Sequence, residues 1–103
     1  MSTFEALGIE EGLLQSIKVL GFTEPTPIQE KAIPVLLQGT KDFIGLAQTG
    51  TGKTAAFGLP LLQLIKKEDR FPQALIVCPT RELCLQITKD LTTFRSKKDN
   101  ISV

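Results

Sequence analysis

Ala47-Gln48-Thr49-Gly50-Thr51-Gly52-Lys53-Thr54 is a glycine-rich turn that ends in Gly-Lys-Thr, and its reading decides the fold. In the Walker A pattern such a loop joins a strand to a helix and turns its backbone N–H groups toward phosphate oxygens. Lys53 then brings a point charge to the β and γ phosphates. The Thr54 hydroxyl is offered to Mg²⁺, which bridges phosphates and usually keeps several waters. The following helix adds partial positive charge at its N-terminus. Ala47 stands where the common pattern has Gly. A turn that binds nothing would explain the glycines, but it would leave the adjoining Lys53-Thr54 pair as coincidence.

Working outward, Asp42-Phe43-Ile44-Gly45-Leu46 reads as a short buried strand feeding the loop. Downstream, the helix that starts at Lys53 meets Pro60, which cannot donate to the ladder and is expected to end or kink it. Leu61, Leu62, Leu64 and Ile65 continue its apolar face. Lys66 to Arg70 is a charged surface loop, and Ala74-Leu75-Ile76-Val77-Cys78 is a second buried strand stopped by Pro79-Thr80. Leu83, Ile87, Leu91 and Phe94 recur at near-helical spacing to about Arg95. Ile101 to Val103 resembles the opening of a third strand, an ending that suggests a chain stopped mid-pattern.

Upstream, Ile9, Leu13, Leu14, Ile17 and Leu20 predict an amphipathic helix from about Glu10 to Leu20, closed by Gly21. A second helix is expected from near Thr26, with Ile28, Ala32, Ile33 and Leu36 on its buried side and Gly39 at its end. Helices alternating with buried strands imply an α/β fold with a parallel sheet, flanking helices and right-handed crossovers.

With 103 residues, 42% of them hydrophobic and 22% charged, the chain fits one small globular domain and is not a disordered tail. A net charge of +1 gives no dense basic footprint, so any nucleic-acid contact rests on a few placed groups. Cys78 and Cys84, with no histidine in the chain, are too few ligands for a zinc site and are expected to be buried free thiols. The N-terminus has neither a basic n-region nor an apolar h-region, and no run reaches membrane-spanning length. An intracellular protein is expected, cytoplasmic by default, with the nucleus not excluded.

Gly21-Phe22-Thr23-Glu24-Pro25-Thr26-Pro27-Ile28-Gln29 allows two readings of its glutamine. With Thr26 three residues earlier, Gln29 completes a helix capping box and reaches back to a backbone N–H. Alternatively its amide reads a base edge, the oxygen accepting from adenine N6 and the NH₂ donating to N7. Guanine presents two acceptors there, so this pairing selects ATP over GTP.

These residues, with Phe4 upstream, resemble the Q motif of DEAD-box ATP-dependent RNA helicases. Ala47 to Thr54 is similar to that family's motif I, which commonly carries Ala at the first position, and Pro79-Thr80-Arg81-Glu82-Leu83 resembles its motif Ia. Cys84 departs from the alanine usually found next. The resemblance implies a partial RecA-like P-loop domain, with 1–40 a Q-motif helical region and 41–103 an incomplete RecA-like ATP-binding domain. It implies that Phe22 stacks on adenine, Gln29 reads its edge, Phe4 supports the pocket, and Thr49, Gly50, Thr51, Gly52, Lys53 and Thr54 hold the phosphates. ATP and Mg²⁺ are the implied cofactors, with Lys53 and Thr54 catalytic and Thr54 the metal contact. Pro79, Thr80 and Arg81 would meet the RNA backbone without reading sequence. Simple core packing of Phe4 and Phe22, and helix capping by Thr80 with Glu82 at the dipole, are the structural alternatives.

Hydrolysis by this family also needs a carboxylate pair on a neighbouring strand and an arginine from a second domain. The acidic residues after the loop are Glu68, Asp69, Glu82, Asp90 and Asp99, with no Asp-Glu pair. The Asp-Glu-Ala-Asp motif and the second RecA-like domain would lie beyond Val103. The chain alone is therefore expected to bind ATP but not turn it over, as the N-terminal segment of a helicase. A stand-alone, non-catalytic adenine-nucleotide module is the alternative. Phe43, Ile44 and Ile76 are expected to be left partly exposed, making the chain marginally stable or self-associating.

Overall fold

The computed structural model describes residues 3–48, 52–66, 68–95 and 101–103. They form four helices: α1 (Glu11–Val19), α2 (Pro27–Gln38), α3 (Lys53–Leu64) and α4 (Arg81–Phe94). α3 is central in the packing, with α2 along one side and α4 along another, and α1 touches α4.

Each helix boundary has a local cause. α1 closes in a Schellman turn: the Gly21 N–H donates to Lys18 O at 3.1 Å and the Phe22 N–H to Ile17 O at 3.0 Å. Gly21 has φ 92°, which suits a residue without a Cβ. α2 begins with Pro27 at its first position and stops at Gly39. Thr80 caps α4, its hydroxyl accepting from the Leu83 N–H at 3.2 Å.

The core gathers Leu13 and Ile17 of α1, Ile33 of α2, Ala55, Leu59 and Leu62 of α3, and Ile87, Leu91 and Phe94 of α4, with Phe4 and Ile9 from the N-terminal segment. Contact between α3 and α4 is close at Gly58, where a Cβ would lie 2.6 Å from Leu91 Cδ2. Gln63 clips the N-terminal segment to α3: its oxygen accepts from the Glu10 N–H and its NH₂ donates to Gly8 O, each at 2.9 Å. The predicted apolar faces hold in part. Ala32 and Ile33 are buried, Ile28 and Leu36 half-buried, and Leu83 is exposed at the start of α4.

Four expectations need correction. α3 runs unbroken through Pro60, which is fully buried. The lost hydrogen bond costs about 3 kcal/mol in an exposed helix, and here the apolar contacts of a buried ring offset it. Among the described residues no strand is formed, so the parallel sheet is not present: 42–48, 72–78 and 101–103 lie outside every element. A strand exists only with a neighbour to take its N–H and C=O groups, and these runs find none in one another. Leu75, Ile76, Val77 and Cys78 nevertheless alternate exposed and half-buried, the period of a strand laid with one face on the helices. Phe43 and Ile76 are half-buried and Ile44 is exposed, as expected of a sheet without its neighbours. Finally, Cys78 is half-buried and Cys84 exposed, rather than both buried, since the inward face of α4 begins only at Ile87.

Candidate nucleotide site

Gly52 is the hinge between the phosphate loop and α3. It is the N-cap of α3 at φ 83°, a left-handed conformation that costs a side-chain-bearing residue about 1–2 kcal/mol. A Cβ there would also meet Gln29 Nε2 at 2.4 Å. The first turn of α3 has no side-chain cap and no acidic residue, whereas α1, α2 and α4 carry Glu11, Glu30 and Glu82 in theirs. Its uncapped N–H groups and Lys53 make this the helix start suited to an anion. Lys53 is exposed and Thr54 half-buried. Thr49, Gly50 and Thr51 lie outside the described residues.

Gln29 joins this turn to α2. Its oxygen accepts from the Thr26 N–H at 2.9 Å and its NH₂ donates to Gly52 O at 3.1 Å. The capping box is thus in place on the glutamine side, while the Thr26 hydroxyl is buried without a partner at bonding distance. Gln29 is only 2% exposed, and it is the one buried polar residue among the described residues. A carboxamide offers two lone pairs and two N–H groups, so these bonds leave one acceptor and one donor unused. The structural and the base-reading roles therefore compete for access, not for hydrogen-bonding capacity.

Phe22 leaves the Schellman turn of α1 into an aromatic cluster. Its ring meets Phe94 edge-on at 5.6 Å and Phe4 tilted at 6.2 Å between centroids. Phe4 is buried, and Phe22 is half-buried. An open groove of about 760 Å³ brings Phe22 together with Gly52, Lys53 and Thr54, and is bounded on the far side by α4 at Lys89, Asp90 and Thr93.

Pro79, Thr80 and Arg81 are all exposed at the start of α4. Thr80 uses a lone pair for its cap, so its hydroxyl proton stays available to an acceptor. Sequence reasoning missed the Gln63 clip, because a side chain bonding backbone 53 and 55 residues away leaves no local signal.

The family model for DEAD/DEAH box helicases matches residues 26–103. The chain belongs to this family. It is 54% identical over 91 residues to the DEAD-box ATP-dependent RNA helicase CshA of Bacillus anthracis, covering 88% of this chain and 17% of that protein. The ATP-dependent RNA helicase CshA of Listeria monocytogenes is 53% identical over the same shares. Thus the chain spans about a sixth of the length of these relatives. Among solved structures it resembles a DEAD box protein from Methanococcus jannaschii, with TM-score 0.87 and 35% identity over 92% of this chain and 26% of that one. It also resembles Saccharomyces cerevisiae Dbp5 bound to RNA and ADP BeF3, with TM-score 0.86 and 39% identity over 91% of this chain and 24% of that one. Four helices and two unpaired apolar runs therefore match part of a helicase domain of this family. No helix among the described residues is long and apolar enough to cross a membrane.

Proposed function

We propose that this chain supplies the adenine-nucleotide-binding start of an ATP-dependent RNA helicase, with 1–40 the Q-motif region and 41–103 the start of the RecA-like domain. The observation that carries this reading is the Gln29 bond to Gly52 O, which ties the base-reading residue to the turn that presents Lys53. Adenine N6 and N7 match the unused acceptor and donor of Gln29. Because the residue is buried, the base reaches it only if the amide withdraws from Gly52 or the turn moves with it. Occupancy of the base site is thereby felt at the phosphate loop. Phe22 supplies the aromatic face on the groove, and Phe4 backs it.

The phosphates would lie against the α3 N-terminus and Lys53. Among the described residues no group of three or more His, Cys, Asp or Glu could hold a metal ion. A Mg²⁺ ion would therefore arrive with the nucleotide and take its oxygens from phosphate, water and the Thr54 hydroxyl. When bound, it neutralises phosphate charge. Pro79, Thr80 and Arg81 present a hydroxyl, a guanidinium and a helix start to an RNA backbone, without base readout. Cytoplasmic location fits this role.

Calorimetric titration with Mg·ATP tests the reading. Binding by the native chain, lost in Lys53→Ala and weakened with reduced ATP-over-GTP preference in Gln29→Ala, is expected. Turnover is expected to stay at the Lys53→Ala background, because no Asp-Glu pair follows the loop. Equal affinity for GTP, or no loss in Lys53→Ala, would contradict the proposal.

A further inference from the structure

Cys78 and Cys84 bracket the exposed Pro79-Thr80-Arg81 turn, and neither is used by the nucleotide site. Both are free, and both line one groove together with Ile76, Ile87 and Leu91. The Cys84 thiol lies close enough to act on Cys78 electrostatically and as a hydrogen-bond partner. Partial burial, and then Cys84 itself, hold the Cys78 thiol above its ordinary pKa. The turn between them is already tight, since the Cys84 N–H donates to Thr80 O at 3.1 Å and the Leu83 N–H to Thr80 Oγ1.

We propose that Cys78 and Cys84 form a reversible, peroxide-oxidisable dithiol site that closes a covalent ring over the Pro79-Thr80-Arg81 turn. Exposed Cys84 reacts first: its sulfur takes the distal oxygen of hydrogen peroxide, the O–O bond breaks, and water leaves, giving a sulfenic acid. The Cys78 sulfur then attacks the Cys84 sulfur. The S–O bond breaks, a second water departs, and the two thiols have together lost two electrons and two protons to one peroxide. The raised Cys78 thiol is the slower nucleophile, which suits the resolving position. The ring restricts Arg81 and the first turn of α4. Any effect on RNA rests on the function proposed above; formation of the bond does not.

The test is alkylation followed by intact mass measurement of the full chain, before and after equimolar hydrogen peroxide. The reduced chain takes two alkyl groups, and the oxidised chain is expected to remain monomeric, take none, and recover both sites with dithiothreitol. Cys84→Ser and Cys78→Ser should each abolish this closure. In concentrated urea, where only chain flexibility brings the thiols together, closure is expected to slow about tenfold. Separate overoxidation of the two cysteines, cross-linking between chains, or closure as fast in urea as in buffer would overturn the proposal. If the bond forms while RNA affinity of the oxidised chain is unchanged, the dithiol site stands and the RNA reading of Arg81 fails.

Discussion

The helical half and the two apolar runs that flank the phosphate loop carry the same sequence signal and meet different fates. Leu13, Ile33 and Leu59 are buried between helices, while Ile44, Leu46, Leu75 and Val77 stand 88%, 92%, 88% and 84% exposed. A helix satisfies its own backbone and needs only one stripe covered. A strand needs partners along both edges as well as cover on its faces. The helices therefore form in this chain by packing on α3, whereas the runs at 42–48 and 72–78 are strands in pattern only.

The sharpest way to break that contrast is to compare truncations in the two regions. Leu59→Ala in α3 is expected to cost about 2–5 kcal/mol, enough to abolish a cooperative urea transition in so small a core; a shift below about 1 kcal/mol would mean the helices are not a packed unit. Gly52→Ala comes next, because it adds about 1–2 kcal/mol of backbone cost to a contact of 2.4 Å with Gln29 Nε2. Its signature is lost ATP affinity beyond the lost stability, and retained affinity would disconnect Gln29 from the loop. Removing the α4 cap with Thr80→Ala should cost about 1 kcal/mol, read from the urea midpoint. Smallest is Ile44→Thr with Leu75→Thr, expected within about 0.5 kcal/mol of the native chain but less prone to associate in sedimentation. A large loss from that pair would mean the runs are buried in solution after all.

Helix positions were legible because their signals are local. Gly21, Thr26-Pro27, Gly39 and Thr80 sit at boundaries and act within a few residues, and they place α1, α2 and α4 almost where they are found. Pro60 misled because its rule concerns an exposed helix, and nothing nearby announces its complete burial against the core. The apolar runs were legible as strand material, but pairing is a property of neighbours that neither run contains. At the site, Lys53 and Gln29 were found from spacing. The Gln29 bond to Gly52 O was not, since it spans 23 residues and depends on how α2 meets α3. The proximity of the Cys84 thiol to Cys78 likewise depends on the turn that Thr80 tightens.

The central claim, an adenine site in which Gln29 couples the base to the phosphate turn, is tested most directly by a two-dimensional amide NMR titration of the chain with Mg·ATP and, separately, with Mg·GTP. The account predicts that the Gln29 side-chain amide and the Gly52, Lys53 and Thr54 backbone amides shift together with ATP and stay in place with GTP. Gln29 peaks that ignore ATP, or that follow both nucleotides alike, would contradict it.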